Sequence, residues 1–182
     1  MTYLIGQSLG IFSTAGAIAR PFCKEKRQIL LLNIFVNSLV SLNYVLIGQF
    51  GSATALCLVA VVQSLISMVH DARKTPVGTG EIILFTGLYL GLGILGVISA
   101  PGFVWEISVK NLLELLPISG AMLLMAALFA PHPQSTRKFL LINGIVWTIY
   151  ALSKGSSTFL TNAVSATAAA VALYRSRRQH CS

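Results

Sequence analysis

The positive charges of this 182-residue chain follow a pattern that a soluble fold would not require. Apolar stretches alternate with short polar gaps, and nearly all of the thirteen lysines and arginines lie in every second gap. Only Lys110 and Lys154 lie in the other gaps. Because short loops rich in Lys and Arg stay on the cytoplasmic side of a membrane, the pattern indicates a multi-pass membrane protein and its orientation. The cations assigned to the cytoplasmic side are Arg20, Lys24, Lys26, Arg27, Arg73, Lys74, Arg137, Lys138, Arg175, Arg177 and Arg178.

The composition agrees with a chain embedded in lipid. Hydrophobic residues make up 55% of the chain and charged residues 10%, whereas globular domains carry about 25% charged residues. The net charge of +8 is explained by membrane topology, so no nucleic-acid partner is expected. The three cysteines are scattered and show neither a disulfide framework nor zinc-ligand spacing, so no metal or cofactor is expected.

The sequence contains no recognisable catalytic arrangement. Its five acidic residues and three histidines lie in loops or at the ends of apolar stretches, without the spacing of a metal site. The segment 78–80, Gly-Thr-Gly, lacks the Lys-Ser/Thr that follows in a phosphate-binding loop. We therefore predict that the protein is not an enzyme.

Seven apolar stretches approach the length of about 20 residues that a helix needs to cross a bilayer. An odd number of crossings puts the termini on opposite sides, and the cation-rich gaps are cytoplasmic if the N-terminus lies outside and the C-terminal tail inside. We expect the first stretch to be retained, because a signal peptide has cations before its apolar core and residues 1–6 have none. The predicted helices span residues 3–19, 29–48, 52–70, 81–99, 113–130, 139–153 and 158–174.

The chain also contains an internal repeat. At an offset of 110 residues, Gly10 pairs with Gly120 and Asn33 with Asn143, and near residue 54 the best offset is 104. Helices 1–3 therefore resemble helices 5–7, and helix 4 has no counterpart. We predict an all-α membrane protein in which two parallel three-helix repeats are joined by an inversion helix. The predicted parts are residues 1–70, 71–112, 113–174 and the basic tail 175–182.

Glycines in helix 4 suggest how that helix packs. Gly87 and Gly91 have the four-residue spacing that allows two membrane helices to approach closely. An alternative is that these glycines have no special role, since glycine is common in membrane helices generally.

Two parallel three-helix repeats with an inversion helix are similar to the plan of the SWEET and PQ-loop transporter superfamily. More closely, the segment 114–120, Glu-Leu-Leu-Pro-Ile-Ser-Gly, resembles the YgjV-type bacterial inner-membrane proteins. Residues 127–129, Arg137, Trp147 and 155–156 belong to the same resemblance, which is strongest over residues 114–156. It implies a location in the bacterial inner membrane and a fold similar to that of sugar and vitamin carriers.

The Pro-Gln pair that gives the superfamily its name is incomplete here. Pro117 is followed by Ile118, and its counterpart at the offset of 110 is Gln7, in a helix without proline. Proline frees a backbone carbonyl and allows a helix to bend. We therefore predict hinge positions at Pro117, Gly10 and Gly120 and expect any hinge motion to be asymmetric.

Uncharged polar residues at membrane depth are the candidates for a binding site. An amide that faces lipid has no hydrogen-bond partner, so it must face protein or a wet cavity. The alternative is that these residues only hydrogen-bond neighbouring helices and that the tryptophan only packs in the core. The predicted substrate-binding residues are Asn37, Gln63, Trp147, Asn162, Asn33 and Asn143.

Three functions fit these features. The first is a carrier for a small polar solute such as a sugar, vitamin or metabolite. It would work by facilitated alternating access, because no carboxylate lies at mid-membrane for proton coupling. The second is a receptor or regulatory protein that senses a ligand or partner without transport, and the third is a lipid-interacting or assembly protein. The sequence leaves the substrate, the direction of flux and the oligomeric state open.

Overall fold

The computed structural model describes residues 2–23, 25–48, 52–99, 109–130 and 133–180. Within these ranges the chain forms seven α-helices and a short 3-10 helix between the first two, which confirms the predicted number of helices. The sixth helix starts six residues before its predicted start, because the polar residues that precede its apolar part continue the helix. The α-helices are α1 Thr2–Ala19, α2 Lys26–Leu46, α3 Ser52–Arg73, α4 Thr79–Ile98, α5 Val109–Phe129, α6 Pro133–Ser153 and α7 Thr158–His180, and the 3-10 helix is Arg20–Phe22.

Four of the described helices, α2, α3, α4 and α5, are long and apolar enough to cross a membrane. Helices α6 and α7 fall below this measure because α6 begins with polar and basic residues and α7 contains many Ser, Thr and Asn side chains. Helix α1 is only 18 residues long and includes Gln7 among several hydroxyl side chains. Its outer face nevertheless exposes large apolar side chains, with Leu4 70% and Phe12 69% exposed, as lipid contact requires.

Six helices form a closed ring, and α4 packs on the outside of it. Around the ring, α1 contacts α2, α2 contacts α3, α3 contacts α5, α5 contacts α6, α6 contacts α7, and α7 returns to α1. Helix α4 packs against α3 and α5. Its contact surface is a buried cluster that includes Phe85 and Tyr89 from α4 and Leu56, Ala121 and Met125 from the ring.

Contacts between helix ends show that successive helices run in opposite directions. The Asn43 amide near the end of α2 donates to the Gly6 carbonyl at the start of α1, at 2.7 Å. His70 at the end of α3 contacts Glu81 at the start of α4. We call the end of the bundle where α1 begins the amino-terminal end, and the opposite end the basic end. The described cations of the basic end are Arg20, Lys26, Arg27, Arg73, Lys74, Arg137, Lys138 and Arg175.

Two buried apolar clusters fill the centre of the ring at different depths. The basal cluster, near the basic end, contains Leu30 and Leu140 with five residues of α3, α5 and α7. The aromatic cluster, nearer the amino-terminal end, contains Tyr44, Trp147 and Tyr150. The full basal cluster is Leu30, Ala60, Leu124, Ala127, Leu128, Leu140 and Ala169, and the full aromatic cluster is Ala17, Val36, Val40, Tyr44, Ala53, Cys57, Trp147 and Tyr150.

The close approaches of α4 are made by glycines other than the predicted pair. A Cβ atom built at Gly87 or Gly91 would meet no atom within 4 Å, so the expected close contact at this pair is wrong for this chain. A Cβ at Gly93 would lie 2.5 Å from the Ile118 side chain, and one at Gly96 would lie 2.5 Å from the Ser52 backbone. The spacing of Gly87 and Gly91 identifies a common face of the helix, but that face points away from the ring.

Candidate functional site

A buried arginine cross-links three elements of the ring. Arg20 follows α1 directly and is only 5% exposed. Its two terminal nitrogens donate to Asn33 Oδ1 of α2 at 2.6 Å and to Ser165 Oγ of α7 at 3.0 Å. Asn33 Nδ2 in turn donates to Ser64 Oγ of α3 at 2.8 Å. These bonds lie about 10 Å inside the start of α2, since Asn33 is seven residues beyond Lys26 and a helix rises about 1.5 Å per residue.

The charge of Arg20 has no carboxylate partner among the described residues. The ion pairs there are His70 with Glu81 and Lys154 with Glu114. A guanidinium is not deprotonated in proteins, so Arg20 carries its charge at neutral pH. A buried charge without a counter-charge is costly, so its retention here requires neutral hydrogen bonds, a ligand or both.

Several buried polar atoms lack hydrogen-bond partners within the described ranges. They are donors on Arg20, α3 and α7, a hydroxyl on α3 and an acceptor on α6. Buried polar groups are nearly always hydrogen-bonded in folded proteins, so several unpaired ones in one bundle need an explanation. The unpaired atoms are Arg20 Nε, Gln63 Nε2, Ser67 Oγ, Asn143 Oδ1 and Asn162 Nδ2.

These groups form what we call the polar layer, which comprises Arg20, Asn33, Gln63, Ser64, Ser67, Asn143, Asn162 and Ser165. On α2, Asn33 lies one turn from Leu30 of the basal cluster and one turn from Val36 of the aromatic cluster. On α6, Asn143 lies between Leu140 and Trp147 in the same way. On α2 and α6 the polar layer therefore lies between residues of the two apolar clusters, whereas on α3 its residues follow Ala60 of the basal cluster.

The six predicted substrate-binding residues are not all brought together. Asn33, Gln63 and Asn143 are buried in the polar layer, and Asn162 has its amide nitrogen buried there. Asn37 lies one turn further along α2, and its amide donates to the Asn33 carbonyl of the same helix at 2.8 Å. Gln63 accepts a 2.7 Å hydrogen bond from Tyr89 of α4, so its oxygen faces the outer helix.

Trp147 lies in the aromatic cluster rather than in the polar layer. Its ring is 7% exposed and packs edge-on against Tyr150, with 5.8 Å between the ring centroids. Its indole lies against Gly120 of α5, where an added Cβ would be 2.4 Å from Nε1. Gly120 therefore provides the space that the indole occupies. The predicted hinge role of Gly120 stays a prediction, as do the hinge roles of Gly10 and Pro117.

Hydrogen bonds close the bundle at its amino-terminal end. Ser157 donates from its backbone N–H to Gln7 Oε1 at 2.7 Å and from its hydroxyl to the Gln7 carbonyl at 2.9 Å. Ser156 Oγ donates to Asn43 Oδ1 at 2.9 Å. These bonds join α1, α2 and the start of α7 beyond the aromatic cluster.

An ion pair joins α5 and α6 at the same end. The Lys154 ammonium contacts the Glu114 carboxylate, whose side chain is only 8% exposed. The same ammonium lies 5.6 Å from the centroid of the Tyr150 ring. The amino-terminal end is therefore also held together between α5 and α6.

The basic end is joined by a hydrogen bond from Arg137 Nε to the Pro21 carbonyl, at 3.1 Å, and also contains a small cleft. This cleft lies between the start of α2, the end of α5 and the start of α6. Lys26 and Thr136 are among the residues that line it, and Leu30 forms part of its wall. The basal cluster thus separates this cleft from the polar layer.

Sequence reasoning missed the central role of Arg20, which it assigned to topology alone. Ser64 and Ser165 were not among the predicted binding residues either. The signal in the sequence is that Arg20 follows the apolar stretch without a spacer, whereas the other cations of that gap come after Cys23. Among the described residues, no group of three or more His, Cys, Asp or Glu side chains could hold a metal ion.

Seven antiparallel helices with a lipid-facing apolar exterior and a buried polar layer define a multi-pass helical membrane protein. The family model Imp-YgjV, described as a bacterial inner membrane protein, matches residues 4–180. The chain belongs to this family, which confirms the resemblance drawn from residues 114–156 and the bacterial inner membrane as the location. No curated protein and no solved structure matches the chain.

Proposed function

We propose that the protein is a facilitative carrier for a small polar solute, which binds in the polar layer and crosses by alternating access. The observation that carries the proposal is the set of buried, unpaired polar atoms on four separate elements of the described chain. Hydrogen-bonding groups of a solute would pair with these atoms, whereas a purely structural core would have paired or lost them.

The neighbour pattern of the helices supports two parallel three-helix repeats of the SWEET-like kind. In such repeats α1 is equivalent to α5, α2 to α6 and α3 to α7. Each contact in the ring then has an equivalent contact. The α1–α2 contact corresponds to α5–α6, the α2–α3 contact to α6–α7, and the α1–α7 contact to α5–α3. Leu30 and Leu140, which pair at the offset of 110, both lie in the basal cluster. An axis roughly along the membrane normal would relate the two triples, with α4 as the inversion helix.

The two ends of the bundle supply the two gates that alternating access needs. The amino-terminal end is closed by hydrogen bonds and the Glu114–Lys154 ion pair, and the basic end has a cleft above the basal cluster. By the positive-inside rule, the basic end faces the cytoplasm and the N-terminus lies outside. In such a carrier the amino-terminal end would act as the outer gate and the basal cluster below the cleft as the inner gate.

Facilitated diffusion is favoured over proton-driven transport. Proton-coupled carriers generally use an ionisable group within the membrane. Among the described acids, Glu25 and Asp71 are exposed at the basic end, Glu81 contacts His70, and Glu114 contacts Lys154 at the opposite end. None of these carboxylates lies in the polar layer.

Uptake into proteoliposomes tests the proposal. Purified protein would be reconstituted and assayed with labelled glucose, nicotinamide and lactate, which represent a sugar, a flat vitamin-like ring and a small carboxylate. We expect saturable uptake of at least one of them along its gradient, without a requirement for a proton gradient. Absence of protein-dependent uptake across this panel would favour the receptor function over the carrier.

A matched pair of variants ties uptake to the polar layer. Ser67→Ala removes a buried hydroxyl that has no partner, so it should leave the stability of the fold unchanged. Loss of one solute hydrogen bond costs about 1 kcal/mol, so the half-saturating solute concentration should rise about fivefold. Ser119→Ala makes the same chemical change at an exposed hydroxyl on α5 and should leave uptake unchanged.

A further inference from the structure

We propose that Arg20 binds an anionic oxygen group, a carboxylate or a phosphate, that a ligand brings into the polar layer. The inference rests on the proposed solute site and adds the chemical class of the solute, which becomes a small organic anion. It assigns to Arg20 a binding role beyond its contribution to membrane topology.

The first argument is the missing counter-charge. Arg20 is buried, and within the described part of the chain its guanidinium hydrogen-bonds two neutral groups, the Asn33 amide oxygen and the Ser165 hydroxyl. None of the described carboxylates forms an ion pair with it. A bound anion would supply the compensating charge, and charge-assisted hydrogen bonds from a guanidinium to an oxyanion are among the strongest in proteins.

The second argument is the excess of unpaired donors in the polar layer. Arg20 Nε, Gln63 Nε2 and Asn162 Nδ2 can only donate hydrogen bonds, and all three are buried without an acceptor in the described chain. Only Asn143 Oδ1 is an unpaired atom that must accept. Asn162 lies one turn before Ser165 on α7, so its amide is on the same side of the helix as the hydroxyl that holds Arg20. A ligand that fits this set carries mainly acceptors, as an oxyanion does.

The third argument is that the site is not duplicated. At the offset of 110 residues, Asn33 corresponds to Asn143 but Arg20 corresponds to Ala130. The Asn33 oxygen is satisfied by Arg20, whereas the Asn143 oxygen is unpaired. The two Asn positions of the layer therefore differ, since Asn33 is beside a cation and Asn143 offers an unpaired neutral acceptor. This polarity suits a ligand with one anionic end and one hydrogen-bond-donating end.

The approach to the layer is also positively charged. Lys26 lines the cleft, and the other described cations of the basic end lie at the same end of the bundle. A cleft lined by one sign of charge raises the local concentration of the opposite ion. Anions from the basic end would thus reach the basal cluster at an increased concentration.

Thermal unfolding of the purified full-length protein in detergent, without added lipid, tests the inference. Sodium acetate and inorganic phosphate would each be titrated at constant ionic strength, with sodium chloride as the balancing salt. We expect a saturable rise in Tm with acetate, phosphate or both, and the responding salt distinguishes the two oxyanions. A parallel titration with short-chain phosphatidylglycerol tests whether a lipid phosphate is the ligand instead.

Three variants assign the effect to Arg20. Arg20→Gln should abolish the rise in Tm but should not lower Tm in chloride alone, because glutamine can still donate to Asn33 and an uncompensated charge is removed. A purely structural arginine would instead lower Tm in chloride. Arg27→Gln removes an exposed cation from the same end and should keep the full rise. Arg20→Lys keeps the charge but not the planar donor pair, so the half-saturating anion concentration should increase about tenfold.

The outcomes separate this inference from the carrier function. Three results would overturn the anion site. They are no rise in Tm with either salt, an unchanged rise in Tm in Arg20→Gln, and a rise in Tm with phosphatidylglycerol alone. If Arg20→Gln does not fold, an unchanged half-saturating concentration in Arg20→Lys would overturn it equally. Proteoliposome uptake without an Arg20-dependent rise keeps the carrier and rejects the anion site. An Arg20-dependent rise without uptake of any solute keeps the anion site and rejects the carrier.

Discussion

Replacement of Gly120 by alanine tests how Trp147 is seated between α5 and α6. A Cβ at this position would lie 2.4 Å from the indole Nε1 and 2.8 Å from Cδ1. The indole cannot move away easily, because it is buried and packs against Tyr150. Gly120→Ala should therefore force the ring or the α5 backbone to shift.

The expected loss of stability follows from two opposing terms. Alanine in place of glycine inside a helix gains up to about 1 kcal/mol. Overpacking of a closely packed site costs about 1–3 kcal/mol. The net change at Gly120 is then a loss of roughly 0–2 kcal/mol. At Gly87, where an added Cβ meets no atom within 4 Å, only the favourable term applies. The two variants should differ by about 1–3 kcal/mol in their free energies of unfolding.

Unfolding of the purified protein by sodium dodecyl sulfate in mixed micelles measures this difference. Circular dichroism is the appropriate signal, because a further variant, Trp147→Phe, removes one of the two tryptophans. The smaller phenyl ring should make room for the new methyl group, so the double variant should be more stable than the sum of the single effects predicts. A coupling of about 0.5–3 kcal/mol is typical of residues in contact. Equal stabilities of Gly120→Ala and Gly87→Ala, together with strict additivity in the double variant, would refute this account of the contact.

Three further predictions follow from other contacts. Lys154→Met leaves the buried Glu114 carboxylate unpaired and should lower the free energy of unfolding by about 3 kcal/mol, with most of the loss recovered when Glu114→Gln is added. An equal loss in the double variant would contradict the pairing. Gly96→Ala should lower the free energy of unfolding by about 2 kcal/mol, because the new methyl group clashes with the backbone of α3, whereas Gly91→Ala should not lower it. Equal effects of the two substitutions would contradict the packing of α4. An impermeant maleimide should label Cys23, in a variant without the other cysteines, only from the inner face. Burial raises the pKa of this thiol, so labelling should still accelerate at pH values where a free cysteine has levelled off. Labelling in intact cells would contradict the topology.

The sequence was sufficient to predict the helices, because each needs only one apolar stretch of known length. It was less informative about which faces meet. The spacing of Gly87 and Gly91 correctly places both on one side of α4, but spacing does not reveal that the ring contacts Gly93 and Gly96 instead. Choosing between these pairs requires the rotation of α4 about its own axis, which depends on the residues of α3 and α5 that it packs against.

The candidate site shows the same limit for side chains. Polarity at membrane depth predicted that Asn33 and Asn143 face protein, and both are buried. It could not predict that Trp147, four residues after Asn143, belongs to a separate apolar cluster. The position of the tryptophan depends on Gly120, which is on another helix and leaves space for the indole. Such complementarity between distant residues has no local signal in the sequence.

The direction of a helix explains why only some topology cations reach the interior. In an α-helix, the Cα–Cβ bonds tilt toward the N-terminus of the helix. Cations at the start of a helix that leaves the basic end, such as Lys26 and Arg27, therefore tilt toward the aqueous side. Cations at the end of a helix that arrives there, such as Arg20 and Arg73, tilt back toward the bundle. Arg73 is exposed, since its helix extends beyond the packed part of the ring, whereas Arg20 directly follows the last buried turn of α1. A Lys or Arg of the cytoplasmic side that directly follows the last buried turn of a helix running toward that side is thus the one to test for a role inside the membrane.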